Sequence, residues 1–154
     1  MTDTDKLFMK EALSLAREAE RCGEIPVGAV VVRDGKIIGR AHNLRETNKS
    51  ATAHAEVLAI EQACRAVGSW RLEDCTLYVT LEPCPMCAGA IVNSRIKRVV
   101  FGCKDALAGA CGSVIDLNFY PFNHNFALTG GVLADEAAEL LADFFKKKRK
   151  KTEL

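Results

Sequence analysis

Two short segments concentrate the side chains able to do chemistry: Thr52-Ala53-His54-Ala55-Glu56 and Glu82-Pro83-Cys84-Pro85-Met86-Cys87. Cysteines three apart on a helical turn share one face. Near a helix N-terminus the unpaired amides and the dipole favour the thiolate, the form that binds metal. With His54, Cys84 and Cys87 make a set of one imidazole and two thiolates, suited to tetrahedral zinc with a fourth position left for water. Such an open position marks a catalytic site, whereas structural zinc closes with four protein ligands. Water at that position supplies hydroxide near neutral pH, and the chemistry then needs a proton shuttle, for which Glu56 is the candidate. A regular helix puts residues i and i+2 on opposite sides. His54 and Glu56 therefore converge only if His54 lies at or just before the first turn.

Other readings of the same residues exist. A C-x-x-C pair is also compatible with a redox couple or half of a zinc ribbon. The redox couple leaves His54 and Glu56 without a role. A closed ribbon needs a fourth ligand from Cys22, Cys64, Cys75, Cys103, Cys111, His42 or His124, and none of these forms a second C-x-x-C. These remaining cysteines lie in apolar stretches or a loop and read as small buried hydrophobes. Catalytic zinc is the reading that uses all four residues.

The elements that must position this set are legible in outline. From Thr4 to Cys22, Phe8, Ala12, Leu15, Ala16 and Ala19 recur at helical spacing, with caps in Thr2 to Asp5 and a stop at Gly23. Val27 to Arg33 is a β-branched run, Asp34-Gly35 is a hairpin signal, and Lys36 to Ala41 resumes as a strand. Thr52 is placed to cap a helix running to about Val67, and Gly68 ends it. Cys75 to Leu81 is a strand, and Pro85 suits the first turn of a small apolar helix through Val92. Arg98 to Phe101 is a short strand, Ala127 to Leu133 a weaker one, and a last helix begins at about Asp135. This order predicts one mixed sheet with helices on both faces.

Composition sets outer limits. The chain has 154 residues, 49% hydrophobic and 27% charged, which suits one domain with a core that needs no disulfides. No run of about 18 apolar residues occurs, so neither a transmembrane helix nor membrane attachment is expected. The polar, acidic start predicts no secretory signal, and seven cysteines in such a chain point to a reducing cytoplasm. The net charge of +1 hides an asymmetry: residues 146–154 (KKKRKKTEL) hold six basic residues and one acid. The division expected is a single domain over 1–145 and a basic tail over 146–154 that extends the last helix. A cationic run attracts phosphate backbones, although many such runs are simply solvated.

The motif H-A-E followed by P-C-P-M-C resembles the signature of the zinc-dependent nucleoside and nucleobase deaminases. Further stretches narrow the likeness: GEIPVGA from Gly23, His42-Asn43, TAHAE from Thr52, TLYVTLEPC from Thr76, and Ser94-Arg95-Ile96. They are similar to the bacterial tRNA-specific adenosine deaminases of the cytidine/deoxycytidylate deaminase superfamily, from the first helix to Phe144-Phe145. The resemblance implies a three-layer α/β/α, cytidine-deaminase-like fold with a mixed five-stranded sheet. It implies hydrolytic deamination of the wobble adenosine of a tRNA anticodon loop to inosine, by a homodimer with one zinc per subunit. Carried over, His54, Cys84 and Cys87 hold zinc, and Glu56 takes a proton from water, delivers it to the ring and helps expel ammonia. Asn43 is expected to hydrogen-bond the flipped base, and Asp105 to lie in the loop that approaches the nucleotide.

Adjacent Phe144 and Phe145 point about 100° apart round a helix, so both cannot enter one core site. One reading has a ring stacking on a loop base, with Lys146 to Lys151 near the phosphates; the other has both capping the core edge. Two positions depart from the family's pattern: Leu107 stands where a lysine is frequent, and Asn125 where an arginine is frequent. Both departures remove a cationic partner for phosphate. The alternatives to a tRNA deaminase are a small-molecule deaminase acting on guanine or cytosine, and a non-catalytic zinc module that binds RNA.

Overall fold

The computed structural model describes residues 2–153. Helix α1, Asp3–Arg21, opens on a capping box: the Thr2 hydroxyl accepts from the Asp5 amide, and the Asp5 carboxylate accepts from the Thr2 amide. Strands β1, Gly28–Arg33, and β2, Lys36–His42, form an antiparallel hairpin. Its turn residues, Asp34 and Gly35, both have positive φ (52° and 74°), the conformation a two-residue hairpin demands. Helix α2 is Ala55–Val67, β3 Cys75–Leu81, α3 Pro85–Ser94 and β4 Arg98–Cys103. A short 3-10 turn, Leu117–Phe119, precedes β5, Ala127–Thr129, and α4 runs from Ala134 to Glu153.

The five strands lie in the order β2-β1-β3-β4-β5. β1 is antiparallel to both β2 and β3, whereas β3, β4 and β5 run parallel. Both faces are covered, so the central strands are apolar on both sides, with successive residues entering different cores. Ala29, Val31, Leu77, Val79, Val99 and Phe101 pack with α2 and α3. Val30, Val32, Tyr78 and Val100 pack with α1 and α4. The mixed sheet between two helical layers is the architecture expected from the order of elements.

Several boundaries differ from the sequence reading. α2 begins at Ala55 rather than after Thr52, because His54 occupies the N-cap. β5 is only three residues long, since Gly130 lies against the Phe101 ring and Gly131 adopts φ 85°, which turns the chain into α4. α4 is a continuous helix through the lysines to Glu153. Among the described residues, no helix is long and apolar enough to cross a membrane.

Candidate metal and catalytic centre

Strand register brings four chain segments to one edge of the sheet. Gly28 pairs with His42 and Leu81 with Cys103, so the start of β1 and the ends of β2, β3 and β4 lie together. The N-termini of α2 and α3 meet at this edge. His54 is the N-cap of α2 (φ −77°, ψ 151°) and Cys84 the N-cap of α3 (φ −75°, ψ 173°). Neither side chain caps its own helix, so both are free to turn inward. Pro85 at the first helical position starts α3 without losing a hydrogen bond, and Cys87 follows one turn on. The extended backbone at His54 resolves the geometric demand set by the sequence. His54 stands outside the helical spiral, and Glu56, buried in the first turn, points to the same place.

The His54, Cys84 and Cys87 donor atoms all lie within 4.8 Å of one another. His54 Nδ1 is 3.6 Å from each sulfur. A tetrahedral ion with bonds of about 2.1 Å to nitrogen and 2.3 Å to sulfur holds those atoms about 3.6 Å apart, so the donors already stand at ligand spacing. Among the described residues no further His, Cys, Asp or Glu joins the group, which excludes each fourth ligand a ribbon requires.

Electrostatics tell the same story. Cys84 is drawn down to about 4, first by the hydrogen bond from the Cys87 thiol and also by that from His54, against the opposing pull of desolvation. Cys87 moves up, because it gives its proton to Cys84 and is buried beside Glu56. His54 is raised through its hydrogen bond to Cys84. The triad by itself therefore carries one thiolate, and a second would face both Cys84 and Glu56. A divalent cation offsets that repulsion, so the donor set fits zinc in charge as well as in spacing. Burial lifts Glu56 to about 7.

The triad opens into a cavity of about 210 Å³ that includes Asn43, His54, Glu56, Cys84 and Asp105 in its lining. That is below the roughly 300–1,000 Å³ of drug-sized sites and suits a single planar base. Asn43 gives one amide hydrogen to the Ile25 carbonyl (3.3 Å), and its oxygen accepts from the Arg45 amide (3.0 Å). Each polar end keeps spare capacity for a ligand. Asp105 also lines the cavity, but its Oδ1 accepts from the Leu107 and Ala108 amides, so it shapes its own loop.

Phe144 and Phe145 lie on α4 and are not part of the cavity wall. Their rings meet edge-on at 5.4 Å; Phe144 is half-buried and Phe145 is 38% exposed. Lys148 Nζ lies 6.0 Å from the Phe144 ring, within reach of a cation–π contact. Leu107 is 93% exposed at the tip of its loop, and Asn125 donates to the Asn118 and Tyr120 carbonyls, closing the loop before β5.

Sequence reasoning passed over Arg45, Ile25, Val27 and Ala108 in the cavity wall, and assigned no role to Glu24 or Glu82. The available signal was an acid set among apolar residues, as in G-E-I-P-V and T-L-E-P. Such an acid is either solvated or heavily hydrogen-bonded.

Comparison with known proteins agrees with this geometry. The MafB19-like deaminase family matches residues 2–149. The chain is 54% identical over 148 residues to the tRNA-specific adenosine deaminase of Bacillus subtilis (strain 168), covering 96% of this chain and 92% of that one. A solved structure from work on A-to-I editing by tRNA:A34 deaminases superposes with a TM-score of 0.85 at 43% identity, covering 88% of this chain and 99% of that one. The guanine deaminase of Bacillus subtilis is more distant, with a TM-score of 0.64 and 36% identity over 92% of this chain and 93% of that one. The fold is thus cytidine-deaminase-like, and the chain belongs to the MafB19-like deaminases and, within the cytidine/deoxycytidylate deaminase superfamily, to the family of the tRNA-specific adenosine deaminases.

Proposed function

We propose that this protein deaminates adenosine to inosine at the wobble position of a tRNA anticodon loop, using zinc held by His54, Cys84 and Cys87. The observation that carries the chemistry is the convergence of those donors with the buried Glu56 on one small cavity. The choice of substrate is supported by the 54% identity to a tRNA-specific adenosine deaminase, against 36% to a guanine deaminase. An anticodon loop suits the site because its bases are already unpaired, so placing one in a cavity costs less than from a duplex.

When bound, zinc supplies the Lewis acidity that makes hydroxide available near neutral pH. The residues of the chain do the rest. Glu56 accepts a proton from the attacking water and delivers it to ring nitrogen N1. It then carries the second water proton to the exocyclic amine, which leaves as ammonia while the water oxygen stays on C6. Asn43 offers one donor and one acceptor to the base edge, and burial around Glu56 keeps bulk water from competing. Arg45 at the cavity and Lys146 to Lys151 on α4 supply positive charge for phosphates, with Phe145 exposed beside that run for stacking. On this reading residues 1–145 do the chemistry, 146–154 contribute electrostatics, and the enzyme works in the cytoplasm as a homodimer with one zinc per subunit.

Nucleoside mass spectrometry of an anticodon stem-loop after incubation, with and without a chelator, tests the reading, alongside assays on free guanine and cytosine. Inosine that disappears with chelation supports it. Turnover of free bases alone overturns it in favour of a small-molecule deaminase, and absence of any turnover favours a binding module.

A further inference from the structure

Two buried carboxylates take no part in the proton transfers, yet each gathers the backbone of one loop beside the cavity. Glu24, with no exposed surface, accepts from the Glu46 amide (3.0 Å) on one oxygen and from the Thr47 amide and hydroxyl (2.6 Å each) on the other. Glu82, 2% exposed, accepts from the Asp105 amide (3.1 Å) and the Ser113 hydroxyl on one oxygen, and from the Cys111 (3.0 Å) and Ser113 (3.1 Å) amides on the other. Neither is ion-paired among the described residues. A Cβ at Gly109 would meet the Glu82 carboxylate, so glycine there permits the close approach.

What these bonds hold is informative. Arg45 to Lys49 are exposed, as are Ala106 to Ala108, so neither loop tip has a core of its own. Yet the first loop carries Arg45 and leads into His54, and the second carries Asp105 and Ala108, all of which line the cavity. Ionised acceptors make hydrogen bonds roughly twice as strong as neutral ones, and an amide in the same place turns a donor against donors.

We propose that Glu24 and Glu82 are positioning residues, each holding one wall of the cavity mouth so that the nucleotide finds both walls in place before it binds. The inference rests on the proposed deaminase reading and deepens it. Prepaid ordering of this kind appears in substrate affinity rather than in the chemical step.

The test is steady-state kinetics on an anticodon stem-loop for Glu24→Gln and Glu82→Gln, with zinc content and amide hydrogen exchange measured on the same samples. Expected for each is a rise in KM of about tenfold, with kcat per bound zinc held within about twofold, and faster exchange confined to the affected loop. Because Glu82 neighbours Cys84, Ser113→Ala and Thr47→Val serve as second variants; each removes a donor away from the triad and should raise KM in the same direction by less. An unchanged KM in these variants overturns the proposal, as does a fall in kcat that follows lost zinc or folded fraction with KM constant. If the wild-type protein makes no inosine, the functional reading fails instead, and unchanged loop exchange in all four variants then overturns the anchoring separately.

Discussion

His54 meets Glu56 because the histidine sits one residue outside α2, where extended backbone replaces the 100° step of the helix. The roles then separate: three donors spaced for a metal, and one carboxylate beside them without a place among the ligands. Glu56→Ala should keep zinc and the folded state yet lower kcat by about 10²–10⁴, the usual contribution of a positioned acid–base group. Metal analysis with single-turnover kinetics checks this, and near-normal turnover would remove Glu56 from the mechanism. Cys84→Ser should lose zinc, since a hydroxyl at this position forfeits the thiolate that the surroundings stabilise down to about 4. Unchanged zinc stoichiometry would contradict the ligand set.

At the scale of elements, close packing decides where the helix N-termini arrive. α2 lies against β2 at Gly39, where a Cβ would strike the Ala59 carbonyl oxygen, and α1 lies against β1 at Gly28, where a Cβ would strike that of Ala12. Gly39→Ala must push α2 off the sheet, with an expected cost of about 1–3 kcal/mol. Because α2 carries His54 and Glu56, the displacement should also lower kcat. Urea denaturation and kinetics on one preparation check both, and a variant with unchanged stability and rate would show that the packing there is slack. The loops are elements in their own right. Asn125 closes one of them, its side-chain amide donating to the Asn118 and Tyr120 carbonyls.

For the whole molecule, one half-buried ion pair ties the first helix to β4 on the sheet face that α1 covers. Asp5 on α1 takes both Arg98 nitrogens on β4 at 2.8 Å and the Tyr78 hydroxyl on β3 at 3.1 Å, with its side chain 1% exposed. The hydrogen bonds from Arg98 lead in lowering Asp5 from 3.8 to about 2. A depressed acid contributes stability that is full above its unfolded value and fades as pH falls toward its folded one. Asp5 should therefore supply about 2 kcal/mol above pH 4, lost between about pH 4 and pH 2. Chemical denaturation of wild type and Asp5→Asn at pH 6 and pH 3 checks this; an advantage that does not narrow at pH 3 would contradict it. At the same scale, removing residues 146–154 should weaken binding to an anticodon stem-loop and flatten its salt dependence, by about 0.7 in log–log slope for each phosphate that is no longer neutralised. An unaltered slope would make the tail a solvated extension of α4.

The sequence alone was enough to pick out the candidate residues that the structure brings together, and the order of elements, because both are local. A C-x-x-C on a helical turn, a D-G hairpin and β-branched runs each declare themselves over a few residues. It could not say that His54 caps α2, since that depends on whether the helix starts at Thr52 or two residues later, and packing of Ala55 and Ala59 against the sheet makes the choice. It could not give Glu24 and Glu82 their partners either, because their donors lie 22 to 31 residues away and are brought near only when strands of opposite and like direction end at one edge. Chemistry is written in residue type and short spacing; the walls around it come from long-range register, which local propensity does not encode.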